Sequence, residues 1–122
     1  DIKRLEDYKK KIFDKNLHKT KVNELLLYLC KSNIFETIVI ASNSSKRNLY
    51  KLLSYHSIDE SLFDLIITRD SVLNKKPSID MGTMIFNTYP HYKKSDYLMI
   101  GDSDVDLRFS QNLQIQCIIV NS

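Results

Sequence analysis

Apolar residues change their period several times along this chain, and each change marks a predicted element. Ile2, Leu5, Tyr8 and Ile12 fall three and four apart among Lys and Asp residues, which predicts an amphipathic, partly exposed helix over residues 1 to 16. Val22, Leu25, Leu26 and Leu29 repeat that spacing behind Thr20, the candidate N-cap of a second helix. At Thr37-Ile38-Val39-Ile40-Ala41 the pattern becomes a short continuous apolar run, mostly β-branched. Such a run predicts a strand buried on both faces.

The alternation then continues. Ser42 to Ser45 is turn and cap chemistry, and Leu49, Leu52, Leu53 and His56 return to helical spacing. Leu65-Ile66-Ile67-Thr68 is a second buried strand, and Pro77-Ser78 opens a helix that runs to Tyr89 and is closed by Pro90. Tyr97-Leu98-Met99-Ile100 is a third strand, a helix spans about Val105 to Asn112, and Cys117-Ile118-Ile119-Val120 is a fourth strand. Strands alternating with helices predict an α/β fold, a parallel sheet covered by helices on both faces.

Composition narrows the class. At 122 residues, 43% hydrophobic and 27% charged, the chain has a core and one domain's length. No apolar run approaches the roughly 18 residues of a membrane span, and Asp1 to Asp7 shows no apolar leader. The net charge of +3 is spread over small Lys groups rather than a stripe, so neither nucleic acid nor membrane is an expected partner. Cys30 and Cys117 lie in apolar stretches and read as free core thiols, which points to a reducing cytoplasm. The only glycines, Gly82 and Gly101, cannot form either common nucleotide-binding loop. His18, His56 and His91 have no zinc-ligand spacing.

Ligands of open parallel sheets bind beyond the carboxyl ends of the strands, so the residues just after each strand carry the candidate chemistry. Ser42 offers a hydroxyl there, beside backbone N–H groups of the following turn, a combination suited to a phosphate-sized anion. Lys76 stands directly before Pro77 and a helix start, where its charge adds to the positive end of the helix dipole. Asp102, Asp104 and Asp106 crowd three carboxylates into five residues. Such a cluster calls for a cation, and Mg²⁺ binds through one or two carboxylates plus substrate phosphate and water. A hydroxyl, a Lys and an acidic cluster at one sheet edge suggest phosphoryl transfer.

These motifs, in this order, resemble the haloacid dehalogenase superfamily, in particular its phosphoglycolate-phosphatase-like branch. Ile38-Val39-Ile40-Ala41-Ser42-Asn43 resembles the family's second motif, Lys76-Pro77-Ser78-Ile79-Asp80 the third, and Met99-Ile100-Gly101-Asp102-Ser103-Asp104-Val105-Asp106 the fourth. The resemblance covers residues 20 to 122. It implies a Rossmannoid core over residues 19 to 122 and, in residues 1 to 18, the tail of a helical cap. By the same resemblance Ser42, Asn43 and Lys76 bind the phosphoryl group of a small phosphorylated metabolite. Asp102 holds Mg²⁺, Asp106 assists the metal or orients Lys76, and Asp104 is a surface carboxylate.

One departure stands out. The family's first motif, an Asp-x-Asp after a central strand that supplies the nucleophile, does not precede Ser42. In the family's strand order that strand lies between the one ending at Ala41 and the one ending at Ile100. The expectation is therefore a sheet lacking its middle strand, completed by an N-terminal segment or a partner chain, in a Mg²⁺-dependent phosphatase acting through an aspartyl-phosphate. The alternative is a catalytically inactive module of the same fold that binds phosphate or a protein.

Overall fold

The computed structural model describes residues 1–120, so the last two residues of the core assigned to 19 to 122 lie outside the described residues. The elements follow one another as the alternation predicts. Helix α1 (Ile2–Lys15) and helix α2 (Glu24–Lys31) come first, then strand β1 (Val39–Ala41), helix α3 (Lys46–Tyr55) and strand β2 (Leu65–Ile67). Helix α4 (Asp80–Thr88), strand β3 (Leu98–Gly101), helix α5 (Asp104–Leu113) and strand β4 (Gln116–Ile119) complete the chain.

Two helix starts differ from the sequence reading. The N-cap of α2 is Asn23, whose side chain accepts from Leu26 N at 2.9 Å. Thr20 is occupied elsewhere, its hydroxyl bonded to the Leu17 carbonyl at 2.6 Å and meeting His56 Nε2 at 2.7 Å. Helix α4 begins at Asp80 rather than Pro77, because the backbone from 75 to 78 closes its own turn, with Ser78 N donating to Lys75 O at 3.0 Å. Ser78 Oγ in turn donates to the Asp80 carboxylate at 3.1 Å.

Both strand pairings are parallel, Val39 to Ala41 against Leu65 to Ile67 and Leu98 to Gly101 against Gln116 to Ile119. They form separate sheets of two strands each. Successive peptide groups of a strand point to opposite edges, so the flanking bonds fix which edge is open. Ser42 N donates to Ile67 O and Ile38 O accepts from Asp64 N, while Gly101 O accepts from Val120 N. Val39 and Ala41 therefore turn their N–H and C=O groups away from β2, and Leu98 and Ile100 turn theirs away from β4. A cleft of about 880 Å³ lies between β1 and β3 and is lined by every residue of both strands.

The strands are less buried than their apolar runs predict, at the gap for Leu98 and at the outer edge for β4. Leu98 is 41% exposed, and the edge-strand residues Ile118 and Ile119 are 50% and 43% exposed. The closed core lies to one side, where Ile67 of β2, Met81 and Ile85 of α4, and Phe109 and Leu113 of α5 form one buried cluster. Helices α4 and α5 thus tie the two half-sheets together, with Gly82 admitting the Leu113 side chain where a Cβ would overlap it. At the amino-end of the cleft, Tyr92 bonds Thr37 through its hydroxyl at 2.7 Å. The neighbouring Tyr97 hydroxyl is buried without a hydrogen-bond partner.

Helix α1 buries none of its residues. Ile2, Leu5, Tyr8 and Ile12 form its exposed apolar row. Near its last turn Asp14 accepts from Arg47 at 2.7 Å and Lys51 at 3.2 Å, both on α3. Among the described residues no helix is long and apolar enough to cross a membrane.

Candidate functional site

Ser42 follows β1 directly, held by its N–H on Ile67 O at 2.9 Å. Its hydroxyl oxygen accepts from Ser44 N at 3.1 Å, a local serine turn that leaves the hydroxyl hydrogen to donate. Several backbone amides of the turn beyond it are bonded within the protein. Ser45 caps α3 by accepting from Asn48 N at 3.2 Å, and Lys46 N donates to Asp70 at 2.7 Å.

Asn43 turns toward the Lys76 backbone. Its Oδ1 accepts from Lys76 N at 2.8 Å and its Nδ2 donates to Lys76 O at 3.0 Å. The Lys76 side chain then runs across the Phe109 ring, 5.9 Å from its centroid, to donate to Asp106 Oδ1 at 2.7 Å. Both side chains are nearly buried, at 9% and 8% exposure. Removing either partner of such a pair strands a buried charge at a cost of about 3–5 kcal/mol.

Asp106 stands in the first turn of α5. Its second oxygen accepts from Asp102 N at 3.1 Å and Ser103 Oγ at 3.2 Å. Burial pushes the Asp106 carboxyl up, but the Lys76 hydrogen bond and charge, joined by the Asp102 amide and the Ser103 hydroxyl, outweigh it and hold it below the ordinary carboxylate range. Gly101 makes room for this arrangement, since a Cβ there would overlap the Asp106 side chain.

Asp102 is exposed, and among the described residues none hydrogen-bonds or ion-pairs with its carboxylate. Asp104 pairs with Arg108 one turn on at 3.0 Å, at the surface. Among the described residues no group of three or more His, Cys, Asp or Glu converges on a metal position. A hard cation that keeps most of its water shell needs only one or two protein carboxylates. The donor set at Asp102 therefore fits Mg²⁺, with Asp106 already committed to Lys76.

A polar cleft of about 450 Å³ opens at the carboxyl ends of β1 and β3, lined by Ser42, Asn43, Lys76, Asp102, Ser103 and Asp106 among others. Five residues from three separate stretches, Ser42, Asn43, Lys76, Asp102 and Asp106, thus meet at one place. Sequence reasoning missed two partners, Ser103 on the Asp106 carboxylate and Asn112, whose side chain donates to Pro77 O at 2.9 Å. The first was within reach of the sequence, as a serine three residues before an aspartate at a helix start. The second joins residues far apart in the chain and leaves no local signal.

This geometry agrees with the family comparison. The family model of haloacid dehalogenase-like hydrolases matches residues 1–120, and the chain belongs to that family. No curated protein gives a significant match. Among solved structures, a hydrolase from Streptococcus pneumoniae TIGR4 superposes with a TM-score of 0.70 at 22% identity, over 97% of this chain and 61% of that one. A haloacid dehalogenase superfamily hydrolase of subfamily IA, variant 1, from Geobacter sulfurreducens PCA gives a TM-score of 0.60 at 20% identity, over 68% and 42%. A Lactobacillus delbrueckii subsp. bulgaricus protein assigned as a phosphoglycolate phosphatase gives 0.62 at 21%, over 80% and 39%. At these identities the likeness is one of fold, and the chain spans between 39% and 61% of the length of these three structures.

Proposed function

We propose that this chain forms the phosphoryl-binding half of a Mg²⁺-dependent phosphomonoesterase acting on a small phosphorylated metabolite. The observation that carries this reading is the convergence of Ser42, Lys76 and Asp102 on one polar cleft at the carboxyl ends of β1 and β3. A hydroxyl and an ammonium there offer hydrogen bonds to the oxygens of a tetrahedral anion. Mg²⁺ held at Asp102 supplies further neutralisation of the phosphoryl charge. Asp106 aims Lys76, the second of its two expected roles, since its oxygens are taken up by protein donors.

The nucleophile in this reading is an aspartate at the end of a strand seated between β1 and β3. The open edges of the two strands and the cleft between them support such a seat, because buried unpaired backbone groups cost about 1–3 kcal/mol each. The aspartate attacks phosphorus in line, the ester oxygen leaves, and water later cleaves the aspartyl-phosphate. The strand comes from an N-terminal segment or a partner chain. Helix α1, attached through Asp14 yet burying nothing of its own, is then the tail of a cap. Free thiols at Cys30 and Cys117 suit the reducing cytoplasm.

The test is hydrolysis of a generic phosphate ester by the intact protein carrying such a strand. Asp102→Asn is expected to abolish Mg²⁺-dependent turnover, and undiminished turnover in that variant overturns the reading. Phosphate binding without turnover in the unmutated protein instead favours the inactive phosphate-binding module.

A further inference from the structure

We propose that Asn43 and Asn112 are positioning residues that act through Lys76, two carboxamides that fix the backbone of the Lys76–Pro77 turn from opposite half-sheets. The role rests on the phosphate-binding reading of the cleft. Asn43 follows β1, and its amide meets Lys76 with both faces, accepting from the N–H at 2.8 Å and donating to the C=O at 3.0 Å. Asn112 belongs to α5, between β3 and β4, and donates to Pro77 O at 2.9 Å.

The turn needs such support because little else holds it. It belongs to neither sheet, and Ser78 N on Lys75 O at 3.0 Å is its own backbone bond. A Lys side chain is a flexible four-carbon stem. Asp106 fixes only its tip, at 2.7 Å, so the ammonium is placed only if the root is fixed as well. The carboxamides fix the root.

They also link the halves. Asn43 ties the turn to the β1–β2 pair, while Asn112 and Asp106 tie it to the helix between β3 and β4. Ser42 follows β1 and Asp102 follows β3, and Lys76 lines the same cleft with them. The Asn43 carboxamide spends its oxygen and one of its two N–H donors on Lys76. Asn112 is exposed and is not among the residues lining the cleft, so any effect on an anion must pass through the turn.

The test is calorimetric titration of the full chain with inorganic phosphate in the presence of Mg²⁺, arranged as double-mutant cycles with Lys76→Met. Asn43→Ala and Asn112→Ala are each expected to weaken phosphate binding by about three- to tenfold, the loss of one or two positioning hydrogen bonds. In the Lys76→Met background neither is expected to weaken it further. An unchanged affinity in Asn112→Ala, or an equal loss in both backgrounds, overturns the proposal. The ¹⁵Nζ resonance of Lys76, recorded without phosphate, gives a second reading should Lys76→Met fail to fold. A shift in both asparagine variants supports positioning, and an unmoved signal overturns it. Phosphate affinity indifferent to Lys76→Met overturns the function proposed for the cleft, and this role with it. No binding by the unmutated chain contradicts that function alone, since the Lys76 resonance still decides whether the asparagines hold the side chain.

Discussion

Lys76 and Asp106 form a buried pair whose worth depends on both members being present. With Asp106→Ala the ammonium stays in a nearly dry setting beside Phe109, and a loss of about 3–5 kcal/mol is expected in urea unfolding. Replacing both residues by apolar ones of similar volume is expected to restore most of that loss without restoring phosphate affinity. The pair also makes stability depend on pH in a defined direction. Asp106 is depressed in the folded chain, so its contribution is complete above the unfolded carboxyl value of about 3.9 and fades as pH falls through the lower folded value. The urea midpoint of the unmutated chain is expected to fall more steeply below pH 4 than that of Asp106→Asn; equal slopes contradict the pairing.

Gly101 belongs to the same argument. Gly101→Ala places a methyl group against the Asp106 side chain, and about 1–3 kcal/mol of destabilisation is expected from the overpacking. At this scale the sequence was readable where chemistry is dense and local. Ser42, Lys76 and the acidic run stood out because strand ends are where ligands sit. The role of Asp106 was left open between assisting the metal and orienting Lys76, since sequence spacing does not report which oxygen lies 2.7 Å from an ammonium. Asn43 was expected beside the anion; it lines the cleft, and its carboxamide is bonded to the Lys76 backbone. An adjacent polar residue in a motif says nothing of which way it turns.

The alternation of strands and helices was legible from period alone, because continuous β-branched runs and three-four spacings differ sharply. Helix starts were less so. Thr20 and Asn23 are both good capping residues, and a long-range contact between Thr20 and His56 removes Thr20 from the competition. Asn23→Ala is therefore expected to cost about 1 kcal/mol in thermal or urea unfolding and to speed amide exchange at Leu26 and Leu27. Thr20→Ala is expected to leave exchange in α2 unchanged. A Thr20 effect equal to that of Asn23 contradicts the assigned cap. Pro77 misled in a related way, since proline suits a first helical turn but here its carbonyl is held by Asn112 outside α4.

Across the whole molecule the main feature is a parallel sheet in two halves, joined by α4, α5 and the Lys76 turn and open between β1 and β3. The expectation of a missing middle strand came from the family resemblance, not from the apolar pattern, which describes each strand but not its neighbours. The fold agrees with it, as the two strands do not pair with each other. The Tyr97 hydroxyl, buried and unpartnered, lies among the residues lining that opening. Occupation of the cleft by a strand is expected to slow amide exchange at Val39, Ala41, Leu98 and Ile100, whose N–H groups face it. Exchange at Ile40 and Met99, which face the existing partners, is expected to change less.

The most direct measurement is an amide-resolved NMR titration of the chain with inorganic phosphate and Mg²⁺. Resonances of Ser42, Lys76 and Asp102 are predicted to move together along one saturation curve, and to lose that response in Lys76→Met. Movement of these three at unrelated concentrations, or perturbation confined to other surfaces, contradicts a single phosphoryl-binding cleft.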